Sequence, residues 1–295
     1  MQIGMTLPTM VAGLDRKTIL EWVRRIDAGP FSTIAAGERL AYPNQEMITT
    51  LAAAAAVSER ARIATTIVIL PMHATGLVAK QLATIDVISG GRLSVGVGIG
   101  GREEDYRAAS ASFAKRQKRM EEQVGLMRRL WSGEAALPDV NPIGPPPVRK
   151  GGPEILTGSL TPKSIARAAR WADGLCGFSF APDIEEIRRG FQVAREAWQE
   201  AGRPRPRLVT SFWYGIGHDA RRTMNDYVGS YLGFLGKDIA AHIGPACSAV
   251  SEEALREIFD AVAEAGADEL LLVPIDADLG RLDRVAEIVA SRGSR

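Results

Sequence analysis

Glu38, Arg39 and His73 are the residues of this chain best suited to handling charge or a proton. Glu38-Arg39 follows Gly37 in a turn, and His73 is one of only 3 histidines. A carboxylate beside a guanidinium reads as an acid with an orienting cation, or as a salt bridge tying a rim. A histidine titrates near neutral pH and can carry a proton, although a plain loop histidine looks the same in sequence. A second stretch, Leu156-Thr157-Gly158-Ser159-Leu160-Thr161-Pro162, joins a strand to a helix. Small residues before a helix start offer amides and hydroxyls to an anion such as a phosphate, or they simply cap the helix. A third stretch sets Leu93, Val95, Val97 and Ile99 against Ser94, Gly96, Gly98 and Gly100. Period-two alternation marks a strand. Its nearly bare face implies close approach, either of packing inside a barrel or of a flat ring at the strand end.

Three familiar chemistries are disfavoured. Gly96-Val97-Gly98-Ile99-Gly100-Gly101 matches G-x-G-x-x-G. However, three strand-helix units precede it, and its first two glycines lie within the strand rather than opening a helix, which argues against a nicotinamide site. No Cys/His cluster has metal-ligand spacing, and no G-x-S-x-G nucleophile elbow occurs.

The elements that must position these residues repeat one beat. Strands are expected at Ile3–Leu7, Phe31–Ala36, Arg62–Leu70, Leu93 onward, Glu154–Thr157, Asp173–Phe178, Arg207–Gly215 and Asp268–Val273. Helices are expected between them, among them Thr75–Ser89, with an apolar stripe of Leu77, Val78, Leu82, Ile85 and Ile88, and a long helix over Phe113–Trp131. Residues 133–152 read as a Pro/Gly-rich loop and 218–250 as an insertion of short helices. Eight strands with helical crossovers predict an eight-stranded parallel (β/α)8 TIM barrel, here one domain over residues 1–295. Active sites of such barrels lie beyond the carboxyl ends of the strands. That rule selects Pro8 to Met10, Glu38-Arg39, Leu70 to His73, Gly98 to Arg102, Thr157 to Ser159, Ser179-Phe180, Pro274 to Asp276, and Trp213-Tyr214, whose rings either wall a pocket or fill the core.

The 295 residues are 46% hydrophobic and 24% charged, an ordinary soluble globular composition. A formal charge of +1 gives no bulk field for nucleic acid or an anionic membrane. No apolar run approaches the ~20 residues of a membrane helix. The N-terminus lacks a basic stretch followed by a long apolar core and reads as the first strand. Cys176 and Cys247 sit far apart in apolar surroundings and read as two buried thiols of a cytoplasmic protein rather than a disulfide.

Several continuous runs resemble the bacterial luciferase-like monooxygenase family, in its branch of deazaflavin (coenzyme F420)-dependent oxidoreductases. They are Ala64 to Pro71, Leu77 to Leu93, Val95 to Gly100 with Arg102-Glu103-Glu104, Gly37-Glu38-Arg39-Leu40, Leu130-Trp131-Ser132-Gly133-Glu134, Ala168 to Gly174 and Ala265 to Asp268. The resemblance implies a luciferase-like barrel, commonly homodimeric, with a flavin-type ring over the strand ends near Gly98, Ile99 and Gly100. It implies a cofactor phosphate at Leu156, Thr157, Gly158 and Ser159. It also implies a non-proline cis peptide in strand three near Thr66, Ile67 and Val68. Sugar-phosphate dehydrogenase relatives carry an Asp-His pair after strand two, where this chain has Glu38-Arg39. A guanidinium does not exchange a proton near neutral pH, so that mechanism is not carried over. Three functions follow: hydride transfer with coenzyme F420, oxygen-dependent monooxygenation with FMN, or flavin binding without turnover. In each the partner is a small molecule, with no metal.

Overall fold

The structure, a computed structural model, describes residues 1–292 apart from the side chains of residues 237–240. Its strands are β1 (Gln2–Thr6), β2 (Thr33–Ala36), β3 (Arg62–Ile69), β4 (Leu93–Gly98), β5 (Glu154–Thr157), β6 (Gly174–Cys176), β7 (Arg207–Tyr214) and β8 (Glu269–Pro274). The helices are α1 (Arg16–Ala28), α2 (Met47–Val57), α3 (Thr75–Ile88), α4 (Glu103–Ala108), α5 (Arg116–Trp131), α6 (Pro162–Ala168), α7 (Ile184–Glu200), α8 (Ala220–Tyr231), α9 (Lys237–Ala246), α10 (Glu252–Glu264) and α11 (Leu279–Ala290). All strand pairings are parallel and sequential, and β1 closes on β8 to complete the barrel.

The alternation in β4 sorts its side chains as expected. Leu93, Val95 and Val97 join the large core between sheet and helices, so Ser94, Gly96 and Gly98 face the barrel interior. The space beside those glycines is filled from within the fold. A Cβ on Gly96 would lie 2.4 Å from the Thr65 carbonyl oxygen, and one on Gly98 would lie 2.2 Å from Ile67 Cδ1. Ile67 therefore occupies the bare face and leans on the interior layer of Ala35, Ala64, Leu156, Cys176, Val209 and Leu271. The packing reading accounts for both glycines. Gly96→Ala and Gly98→Ala are each expected to destabilise by about 1–3 kcal/mol through overpacking. Gly96→Ala is expected to be the worse, because backbone cannot step aside as an isoleucine tip can. Thermal unfolding midpoints of the two variants check both the loss and its order.

At the opposite end of the barrel, Glu269 is buried and accepts from the Ser32 and Thr33 hydroxyls and from Arg207. Arg207 also pairs with Glu154, which Arg62 approaches at 3.3 Å. This charged plug closes the floor, leaving the carboxyl-end mouth as the open face.

Two expectations need correcting. The long helix does not begin at Phe113. A separate short helix, α4, precedes it, and Ser110 and Lys115 take left-handed backbone angles (φ 55° and 54°) that interrupt any continuous helix. Phe113 packs its edge on Tyr106, with ring centroids 5.1 Å apart. Strand six is also shorter than expected, so Phe178 lies beyond its end at the mouth. Residues 133–152 hold no helix or strand, as expected, and are pinned where Asp86 Oδ2 accepts from the Val148 amide. Both cysteines are buried free thiols.

Candidate active site

The mouth pocket is lined from β1 and its following turn (Thr6 to Met10), by Gly37 and Thr66, by Ser211 and Trp213 of β7, by Val273 and Pro274, and by Phe178, Tyr227 and Tyr231. Its aromatic wall is a connected cluster. Trp213 meets Phe178 at 4.8 Å and Tyr231 at 5.4 Å, and Tyr227 stacks on Tyr231 at 5.9 Å with nearly parallel rings. Of the two strand-seven aromatics, Trp213 thus walls the pocket. Tyr214 belongs to the core, where its hydroxyl points at Met5 Sδ, 3.6 Å away. Tyr227 and Tyr231 come from α8, within the insertion, and were not singled out in sequence. Their i, i+4 spacing puts both on one helix face, but only the docking of α8 shows which surface that face covers.

Glu38 and Arg39 turn in different directions. Glu38 Oε2 accepts from the Ile69 amide at 2.6 Å, and Oε1 lies 2.8 Å from His73 Nε2. The parallel pairing of β2 with β3 sets their ends side by side and so brings these two residues together. Burial alone would lower the His73 pKa; the Glu38 hydrogen bond and charge outweigh it and hold the imidazole above its ordinary 6.5. The His73 carbonyl accepts from Gln123 Nε2, which fixes the loop. Arg39 instead lies over the Tyr42 ring, 3.9 Å from its centroid, and donates to the Tyr231 carbonyl.

The Thr66–Ile67 peptide is cis, at the position the family resemblance implied, and Val68 beyond it is buried. Ile99 is held by its carbonyl, which accepts from the Tyr106 hydroxyl at 2.5 Å; burial pushes that phenol up to about 12, so it stays a donor. Gly100 follows with φ +61°, against Ile69. After β5, the Thr157 and Ser159 hydroxyls lie 2.7 Å apart, Leu156 is buried, and Gly158 is hemmed by Ile67, which a Cβ would meet at 2.9 Å. The helix start proper lies further on. Thr161 caps α6 in a capping box with Ser164, and Pro162 has no N–H. Capping therefore explains Thr161, and any anion in this corner would be met by the loop 157–160 rather than by the first turn of α6. Among the described residues no group of His, Cys, Asp and Glu is arranged to hold a metal, and no described helix is long and apolar enough to cross a membrane.

The model of the luciferase-like monooxygenase family matches residues 1–276. An uncharacterised protein of Mycobacterium tuberculosis is 32% identical over 160 residues, 52% of this chain and 56% of that relative. The chain thus spans about half the length of the curated relatives it matches. Among solved structures, an F420-dependent secondary alcohol dehydrogenase held with an F420–acetone adduct superposes with a TM-score of 0.80 at 18% identity, covering 97% of each chain. The oxygenating component of 3,6-diketocamphane monooxygenase from Pseudomonas putida, in complex with FMN, superposes with a TM-score of 0.73 at 16% identity, covering 98% of this chain and 96% of that one. At these identities the two structures speak for the fold.

Proposed function

Because the chain belongs to the luciferase-like monooxygenase family, we propose that it is an oxidoreductase that moves a hydride between the deazaflavin coenzyme F420 and a small organic substrate at the barrel mouth. The observation that carries this reading is the Glu38–His73 pair at the rim, a proton carrier held in register at 2.8 Å. Hydride delivery to a carbonyl, imine or activated alkene leaves an atom that needs a proton, and this pair can supply one. With Nε2 engaged by Glu38, Nδ1 is the nitrogen left to exchange it.

The residues fit the cofactor. The aromatic wall and the Thr66 backbone bound a slot suited to a flat ring. Val68, Gly98, Ile99 and Gly100 are not among the residues that line it: Val68 lies in the core, Ile99 packs against that core, and Gly98 and Gly100 lie against Ile67 and Ile69. The Thr157 and Ser159 hydroxyls, with the Leu156 and Gly158 backbone between and beside them, would take its phosphate. A deazaflavin has carbon where a flavin has its reactive ring nitrogen, so it supplies two-electron hydride transfer rather than oxygen activation. The protein's part is orientation and exclusion of water: Trp213, Tyr227 and Tyr231 shield one side, and fixing the two reactants face to face can supply much of the rate.

Ser159→Asp tests the phosphate seat more cleanly than a change at Gly158, where any side chain meets Ile67. Losing a hydrogen bond to a charged group and gaining a like charge is expected to weaken cofactor binding by about 10- to 100-fold. Unchanged affinity in a folded variant would remove the phosphate from this loop. The FMN monooxygenase reading uses the same seats and differs in needing oxygen. A stopped-flow mix with reduced deazaflavin and activated alkenes, imines or carbonyls under nitrogen, run beside FMN with oxygen, separates the two. Turnover of any acceptor excludes a merely storing barrel.

A further inference from the structure

Arg39 and Arg102 converge on one point. Each donates to the same Tyr231 carbonyl oxygen, both at 3.2 Å, Arg39 through an Nη1 and Arg102 through an Nη2. They are 8% and 9% exposed, and the Nε of each has no hydrogen-bond partner among the described residues. Among the described residues, two cations here face one neighbouring carboxylate, Asp105. Its Oδ1 is spent on the Leu40 and Ala41 amides, and its Oδ2 lies 3.7 Å from Arg102. The other neighbours are rings: Tyr42 and Tyr231 against Arg39, Tyr231 and Phe234 against Arg102. Rings offset part of the cost of burying a guanidinium. They leave the in-plane Nε–H of each arginine unanswered, and one neutral carbonyl is a poor shared acceptor for two guanidinium groups.

We propose that this pair is the seat for an anionic group on the substrate, a carboxylate or a group of similar charge, which takes the place of the Tyr231 carbonyl. A carboxylate offers two oxygens to two planar forks, the arrangement in which arginine binds best. The Tyr231 ring lines the mouth pocket, so an anion entering beside that ring reaches the pair once the end of α8 yields. The segment from Tyr231 to Leu235 then acts as a flap over the substrate's charged end. Substrate selection thus falls to Arg39 and Arg102, and proton handling to His73 on the next strand end.

This inference rests on the mouth being the substrate's seat. Its test is run without added cofactor, so that its failure leaves the cofactor reading untouched. Benzoate and its neutral isostere benzamide are titrated calorimetrically into the full chain at low salt. The expected result is that benzoate binds at least ~10-fold more tightly than benzamide, in line with charge-assisted hydrogen bonds, and that the preference shrinks as salt is raised. Arg39→Gln and Arg102→Gln should each abolish the preference; Arg39→Lys and Arg102→Lys, which keep the charge but lose the fork, should retain part of it and serve where a glutamine variant does not fold. Equal binding of the two probes, no benzoate binding at about 50 mM, or a preference that survives in the folded Gln variants would each overturn the proposal. Any of these would leave the arginines as a clamp that ties α8 to the rim.

Discussion

Replacing His73 by asparagine is expected to lower kcat by about 100-fold or more, the ordinary contribution of a positioned general acid or base, with much less change in KM. The pH profile carries the finer prediction. His73 has its pKa raised above 6.5 because the Glu38 hydrogen bond and charge outweigh burial. If the imidazolium is the proton donor, activity falls as pH rises through a value above 6.5. Glu38→Gln removes the charge while keeping an oxygen for the Ile69 amide, so the same limb should move to lower pH. The sign for stability follows the same shift. A raised folded pKa means the pair stabilises the fold fully below the unfolded value of 6.5, and this contribution is lost as pH rises through the folded value. An unchanged pH profile in Glu38→Gln, together with near-normal kcat in His73→Asn, would remove the pair from the reaction.

Glu269→Ala should be among the most damaging single changes to stability, costing about 3–5 kcal/mol, the usual penalty for removing one partner of a buried ion pair. Glu269 is 2% exposed and gathers the Ser32 and Thr33 hydroxyls and Arg207. Without it, among the described residues Arg62 and Arg207 share Glu154, and the buried Thr33 and half-buried Ser32 hydroxyls lose their acceptor. A surface pair gives the contrast. Glu122→Gln, which removes the exposed contact to Lys118 at 3.6 Å, should leave stability nearly unchanged, because solvent screens such pairs. Denaturation of the two variants side by side makes the comparison, and a Glu269→Ala protein as stable as Glu122→Gln would show that the plug does not hold the barrel floor.

The barrel was legible because each strand is short, mostly apolar and followed by a helix, a pattern that depends only on local residues. What failed locally failed for local reasons. Phe113 fits the helical spacing of the residues after it, but the left-handed backbone at Ser110 and Lys115 starts α5 later. The bare face of β4 was legible as a close approach, but not its occupant. Ile67 comes from the neighbouring strand, and only strand register brings it there. Glu38 and His73 were each visible as residues at strand ends. Their pairing across 35 positions needs β2 beside β3 and a loop that turns His73 back. Tyr231 and the two arginines beneath it were the least legible, because their meeting depends on how an insertion docks on a rim set by three separate strands.

The central claim is tested most directly by titrating the purified protein with coenzyme F420 and with FMN side by side, followed by absorbance and fluorescence of the bound ring. The account predicts saturable F420 binding, weakened by Ser159→Asp, with FMN bound far less tightly. Tight FMN binding with no F420 binding would contradict it and assign the barrel to the oxygen-using monooxygenases.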